Sequence, residues 1–298
     1  MRYIIGVDGG GTKTEAVAYD AKGKVLAVGC SGHGNLLVDK EKGIAHILDA
    51  IKQCLQPLGK EQCVSLYLGI AGIDSGLHQE ALEKELQKWG IPYSIMNDVK
   101  LAHVALLKGK DGILTISGTG AVSYGVKGDR AAMSGGWGHL LADEGSGYWL
   151  VIESFKKMIH DYDRGMQLSN LSLALLNALA IDAVSAIKTF IYASTKGEIA
   201  ALVPIIVKEA EMGNEEAKKI LTEAGIHLAT MTVRLYRKMQ LESDVCIGIK
   251  GSILTQIADV RDAFIKTIYS EIKNAHIINE DISATLGGYY LAVGDKRF

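Results

Sequence analysis

The chain has 298 residues, 48% of them hydrophobic, and its 32 lysines and arginines nearly balance 34 aspartates and glutamates for a formal net charge of −2. That balance excludes the basic footprint of a nucleic-acid binder, and the length points to two domains with cores large enough to need no staples. The first apolar run, residues 3–7, stops at Asp8 and is too short for a signal peptide, and no run reaches the length of a membrane span, so a soluble cytoplasmic protein is expected.

In chain order, residues 3–7 read as a buried strand, Gly9-Gly10-Gly11 as a turn, and residues 14–19 as a returning strand. Lys22-Gly23 turns the chain again, and residues 24–30 complete a three-stranded meander. Residues 38–55 have helical spacing, with Ile44, Ile47, Leu48 and Ile51 on one face. A strand at 64–71, a helix at 77–89, a strand at 92–96 and a helix at 99–107 then alternate, which implies a parallel extension of the sheet.

At Ile113 the opening pattern starts again: strand 113–117, the turn Gly118-Thr119-Gly120, strand 121–126, the turn Lys127-Gly128 and strand 130–134. This is an internal repeat of pattern more than of identity. It predicts two related domains, 1–112 and 113–298, each placing a glycine hairpin at the edge of a shared cleft. Residues 148–240 read as mainly helical, followed by a strand at 244–249, a helix at 252–272, a short strand at 275–278 and a closing helix at 284–293. Gly287-Gly288 in that last helix suggests a close helix contact, and the helix is expected to return to the N-terminal domain.

The segment from Gly6 to Thr14, with Asp8-Gly9-Gly10-Gly11-Thr12-Lys13 at its centre, carries the strongest chemical signal. Consecutive glycines turn the backbone tightly and leave amides pointing inward, a concavity suited to phosphate. Asp8 at the strand end offers a hard oxygen for Mg²⁺, and Thr12 offers a hydroxyl to phosphate. Neither a Walker loop nor a G-x-G-x-x-G dinucleotide fingerprint occurs. Gly118-Thr119-Gly120 is a second phosphate-loop candidate, and two such loops are more specific than either alone. Asp98, between a strand and a helix, suits a base that accepts a proton from a substrate hydroxyl, or alternatively a helix N-cap. Gly251-Ser252 stands at a strand-to-helix turn, a natural nucleotide contact, with a simple cap as the other reading.

Asp8 to Lys13, Asn97-Asp98, Ser117 to Gly120 and the block Gly135-Gly136-Trp137-Gly138-His139 through Asp143-Glu144-Gly145-Ser146 resemble the N-acetylglucosamine kinase group. That group lies within the BadF/BadG-type ATPase family of the sugar kinase, actin and heat-shock chaperone superfamily. The resemblance runs from end to end of the chain. It implies an α/β fold of two actin-like (ribonuclease H-like) domains, each a mixed five-stranded sheet with helices, flanking a cleft. It implies Mg-ATP as the phosphoryl donor, with Asp8 on the metal, and Gly10, Gly11, Thr12, Lys13, Gly118, Thr119, Gly120, Ala210, Gly251 and Ser252 on the nucleotide. It also implies Asp98 as base, with Asn35, Asp98, Gly136, Trp137, Gly138 and Asp143 on the sugar, and a homodimer. Core packing is the other reading for Trp137 and His139, and a loop cap for Asp143.

The expected activity is transfer of the γ-phosphoryl of ATP to a hydroxyl, the 6-hydroxyl first, of an amino sugar. N-acetylglucosamine is the first choice; N-acetylmuramic acid, glucosamine and glucose are the alternatives. The family also contains ATPases that activate iron–sulfur dehydratases through cysteine-held clusters. Here Cys30, Cys54, Cys63 and Cys246 form no close pair and adjoin neither glycine loop, a pattern of reduced thiols and not of a cluster or a disulfide framework. A sugar-responsive binding protein without catalysis is the other alternative, and the presence of Asp8, Asp98 and both loops argues against it.

Overall fold

The computed structural model describes residues 2–73, 76 and 78–298. The chain divides into two compact units, Met1–Leu114 with Glu280–Phe298, and Thr115–Asn279.

In the first unit, β1 (Tyr3–Gly9), β2 (Thr14–Asp20) and β3 (Val25–Ser31) form the meander, antiparallel throughout, with Asp8 opposite Glu15 and Gly9 opposite Thr14. Helix α1 (Lys40–Leu58) starts at Asp39, whose side chain accepts from the Lys42 amide at 3.1 Å. Its predicted apolar face is the buried one: Ile47 and Ile51 are fully enclosed, and Ile44 and Leu48 pack at the margin of the same core. Strands β4 (Cys63–Ile70) and β5 (Tyr93–Met96) extend the sheet in parallel, giving the order β3-β2-β1-β4-β5. Ile4, Ile5 and Val7 of β1 are all buried, as expected of a strand covered on both faces. Helices α2 (Gln79–Gln87) and α3 (Asp98–Leu107) complete the alternation; Leu77, the expected first residue of the former, lies outside the described residues.

The second unit repeats the plan. Strand β6 (Gly112–Ser117), whose residues from Thr115 onward belong to this unit, forms its meander with β7 (Ala121–Lys127) and β8 (Arg130–Gly135). Helices α4 (Gly147–Asp163), α5 (Asn170–Ala178), α6 (Ile187–Ala193), α7 (Lys196–Ala200), α8 (Val203–Glu211) and α9 (Glu215–Met239) follow. Then come β9 (Cys246–Lys250), α10 (Ser252–Gln256), α11 (Ala258–Glu271) and β10 (His276–Ile278). The sheet order is β10-β9-β6-β7-β8, which read from β8 is the first sheet's order strand for strand. The fold is therefore α/β with two mixed five-stranded sheets. The single helix expected over 252–272 is broken at Ile257, where the backbone is extended (φ −91°, ψ 108°). The Ile257 side chain is buried there, and Arg261 Nη1 donates to the Thr255 carbonyl at 3.1 Å, satisfying an oxygen released by the break.

The closing helix α12 (Leu286–Gly294) packs on β1 and α3 of the first unit. Contact is too close for side chains: a Cβ on Gly6 would lie 1.9 Å from the Thr285 carbonyl oxygen, and one on Gly287 would lie 2.3 Å from that of Leu101. Among the described residues no helix is long and apolar enough to cross a membrane.

Candidate active site

In the first unit the candidate residues gather where β1, β4 and β5 end. Asp8 pairs with Gly69 across β1 and β4, and Gly69 pairs with Met96 across β4 and β5. These are the carboxyl ends of parallel strands, the edge at which open α/β sheets bind ligands. Asp8 is half-buried, while Gly11, Thr12 and Lys13 of the hairpin tip are exposed. The hairpin closes through the Gly10 amide donating to the Lys13 carbonyl at 3.0 Å. Lys13 Nζ stands 3.4 Å from Glu15 Oε1 with its side chain two-thirds exposed, a pair worth at most about 1 kcal/mol and easily exchanged for a phosphate.

The loop carrying Asn35 docks beside this hairpin, with the Gly34 amide donating to the Gly10 carbonyl at 2.8 Å. Asn35 is half-buried and its Oδ1 accepts from the Leu37 amide at 2.9 Å. A Cβ on Gly72, just past β4, would come within 3.0 Å of that same oxygen, so Asn35 borders the β4 end as well.

Asp98 is the first residue of α3, and the cap is its neighbour: Asn97 Oδ1 accepts from the Val99 amide at 2.8 Å. Asp98 Oδ1 also faces that amide, at 3.0 Å. The capping alternative for Asp98 is thus filled by Asn97. The helix N-terminus favours the negative charge of Asp98.

In the second unit the corresponding edge holds Ser117, Gly118, Thr119 and Gly120. Ser117 is fully buried and its Oγ donates to the Gly145 carbonyl at 2.9 Å, while the Gly147 amide donates to the Gly118 carbonyl at 2.8 Å. Gly251 has φ +86°, and a Cβ there would stand 2.2 Å from the Ser117 carbonyl oxygen. Only glycine meets both demands, and it brings exposed Ser252 next to the loop. Beside Ser252 opens a cavity of about 470 Å³ lined by Ala200, Pro204, Val207, Ser252, Ile253 and Ile257 among others. This volume lies within the range of small-ligand sites, and the lining is mainly apolar, as an adenine ring requires.

Asp143 sits beneath the Gly118–Gly120 loop. It is 3% exposed and holds φ +75°, uncommon for a residue with a side chain. Its Oδ1 accepts from the Ala121 amide at 3.1 Å and its Oδ2 pairs with Lys196 Nζ at 2.6 Å. Trp137, between Gly136 and Gly138, is 75% exposed, which removes core packing as its role. Exposed Leu140 and Leu141 follow it, and His139 packs edge-on against Tyr148 with ring centroids 4.8 Å apart.

The BadF/BadG/BcrA/BcrD ATPase family model matches residues 5–293. The chain belongs to that family. It is 29% identical to an N-acetylmuramic acid/N-acetylglucosamine kinase of Clostridium acetobutylicum, covering 98% of each chain. It is also 29% identical to an N-acetyl-D-glucosamine kinase of Dictyostelium discoideum, over 99% of this chain and 98% of that one. Among solved structures, a Chromobacterium violaceum protein assigned as an N-acetylglucosamine kinase superposes with a TM-score of 0.78 at 23% identity, covering 98% of this chain and 99% of the other. The likeness shows that the two chains share one fold.

Within this BadF/BadG ATPase, the first unit brings together Asp8, Gly10 to Lys13, Asn35 and Asp98, and the second brings together Gly118 to Gly120, Asp143, Gly251 and Ser252. Ala210 stands apart: it is buried in α8 and is not among the residues lining the cavity, where Val207, Lys208 and Glu211 of the same helix take part. Sequence reading missed the cavity walls from α7 and α8, and it missed Lys196. The signal for these walls was weak, a helical stretch with Pro204 in its first turn. Lys196 gave no signal at all, since its partner is 53 residues away.

Two of the four cysteines are enclosed in the first unit's core. Cys54 and Cys63 are buried, and burial pushes their thiols up to about 11 and about 12 respectively, away from the thiolate. Among the described residues no group of three or more His, Cys, Asp or Glu side chains is placed to hold a metal by itself.

Proposed function

We propose that this protein is an ATP-dependent amino-sugar kinase that transfers the γ-phosphoryl of ATP to the 6-hydroxyl of N-acetylglucosamine, acting in the cytoplasm as a homodimer. The observation that carries the reading is the placement of Asp8 and Asp98 at one sheet edge beside a glycine hairpin, in a chain whose curated relatives are named as N-acetylated amino-sugar kinases. In this reading Asp98 orients the sugar hydroxyl and accepts its proton as the oxygen bonds to phosphorus and the bond to the ADP oxygen breaks. Phosphoryl transfer asks the protein mainly for positioning and charge stabilisation, and both glycine loops supply amides for that purpose. Gly251, Ser252 and the adjoining cavity accommodate adenosine.

The residues fit Mg²⁺. A magnesium ion bound with nucleotide needs one or two carboxylates, with phosphate oxygens and water completing its shell, and Asp8 beside an exposed glycine hairpin is such a donor. When bound, the metal would neutralise charge on the phosphates. On the sugar side the reading uses Asn35 of the first unit and, in the second unit, Gly136, Trp137 and Gly138, the exposed indole offering a wall for a ring or acetyl group. Asp143, buried beneath the second unit's glycine loop, is the remaining residue that the resemblance assigns to the sugar.

The testing experiment is coupled ADP release with purified protein against N-acetylglucosamine, N-acetylmuramic acid, glucosamine and glucose. The reading predicts sugar-dependent ADP release, strongest with an N-acetylated sugar. Release that no sugar stimulates would point instead to an ATPase of another kind.

A further inference from the structure

We infer that Lys196 is a phosphate-binding residue of the nucleotide site, held in place by Asp143 beneath the Gly118–Gly120 loop; the inference rests on the nucleotide reading above. Three observations within the second unit carry it. Lys196 Nζ touches the loop: a Cβ on Gly120 would lie 2.6 Å from that nitrogen and 3.1 Å from Asp143 Oδ2. The ammonium therefore lies against the loop at Gly120, in the space a side chain there would take. The ammonium is also aimed by its ion pair with Asp143 at 2.6 Å. Its carboxylate partner is buried and strained at φ +75°, and strain of this kind persists where the surrounding structure requires it, often at functional sites. Lastly, Lys196 opens helix α7, whose other end, Ala200, lines the 470 Å³ cavity next to Ser252.

The α7 segment is pinned by a full capping box: Thr195 Oγ1 accepts from the Glu198 amide at 3.3 Å, and Glu198 Oε2 accepts from the Thr195 amide at 2.7 Å. One five-residue helix therefore joins the cavity suited to adenine with the loop suited to phosphate, and it carries its cation at the phosphate end. An ammonium has three donors. Asp143 Oδ2 takes one, and the Lys196 side chain remains 28% exposed, so the other donors can reach an anion on the loop. The ligand class is a nucleoside polyphosphate. Lys196 binds its phosphates, while Asp143 keeps the ammonium in position and compensates its charge before nucleotide arrives.

The test measures binding of adenosine, ADP and the non-hydrolysable analogue AMPPNP by calorimetry to the wild type, Lys196→Met, Lys196→Arg and the double variant Lys196→Met/Asp143→Asn. Hydrogen bonds to charged groups imply a loss of ~10–100-fold in AMPPNP and ADP affinity for Lys196→Met, with adenosine binding unchanged and partial recovery in Lys196→Arg. The double variant, which leaves no unpaired buried carboxylate, should keep the loss. Recovery of AMPPNP affinity in the double variant, or an equal loss for adenosine, would show a merely structural ion pair and overturn the inference. Wild-type AMPPNP affinity in Lys196→Met overturns it directly. Absence of adenine-nucleotide binding in the wild type would instead defeat the nucleotide reading itself, so the two failures are distinguishable.

Discussion

Asp8 and Asp98 leave the same edge of one sheet: Asp8 is in register with Gly69, Gly69 with Met96, and Asp98 lies two residues beyond Met96. Two strand spacings separate the Asp8 and Met96 backbones, about 10 Å. That is room for a phosphoryl group and its acceptor hydroxyl, as the proposed roles of Asp8 in holding the metal and of Asp98 as base require. Asn97 already fills the cap position, so Asp98→Asn removes a basic oxygen without removing the cap. The variant should lose ~10²–10⁴-fold in kcat and keep sugar affinity and melting temperature nearly unchanged. Asn97→Ala should do the reverse on stability, costing about 1 kcal/mol by loss of the cap, as thermal unfolding would show.

Asp8→Ala should abolish turnover while leaving the fold intact, because Asp8 is only half-buried at a strand end. Steady-state kinetics across a magnesium titration, with circular dichroism as the control, checks this. Near-normal kcat at saturating Mg²⁺ would remove Asp8 from the mechanism.

Gly251→Ala and Gly118→Ala should part company. At Gly251 the backbone lies at φ +86° and the new methyl would meet the Ser117 carbonyl oxygen, so stability should fall by about 2 kcal/mol or more. At Gly118 a Cβ meets nothing within 4 Å. That variant should melt as the wild type does while its KM for ATP rises, since its methyl would obstruct only a bound phosphate. Differential scanning calorimetry together with ATP titration separates the two effects.

His103 makes stability depend on pH. It is buried in α3, its Nε2–H donates to the Gly112 carbonyl at 3.1 Å, and burial lowers its pKa from 6.5 to about 4. The unfolded chain binds a proton near pH 6.5 and the folded one only near pH 4, so stability falls as pH drops through that window. The difference corresponds to about 3 kcal/mol at most. Urea unfolding at pH 7 and pH 4.5 should show the decline, and His103→Asn should flatten it. An equal slope in the variant would assign the pH dependence to other groups.

Much of the fold was legible because its signals are local. The repeated strand, glycine turn and strand at residues 3–19 and 113–126 announces two sheets of one design, and the 38–55 periodicity names the buried face of α1. The glycine pair in α12 marked a close contact, which Gly6, Thr285 and Leu101 now specify. The break at Ile257 was invisible because it depends on Arg261 satisfying a carbonyl and on burial of the isoleucine, neither of which alters local spacing. Asp8, Asp98 and the two loops could be read from residue type at strand ends. Lys196 could not: an isolated lysine in a polar stretch acquires meaning only when folding brings it to Gly120 and Asp143. Ala210 shows the converse, a position carried over by resemblance that lies buried while its neighbours Val207 and Glu211 line the cavity.

The most direct measurement is phosphoryl transfer itself: γ-labelled ATP incubated with N-acetylglucosamine and either wild-type protein or Asp98→Asn, with the label followed into the sugar. The account predicts rapid wild-type labelling at the 6-position and transfer slowed ~10²–10⁴-fold in the variant. Label released only as inorganic phosphate by the wild type, or equal sugar labelling by both proteins, would contradict it.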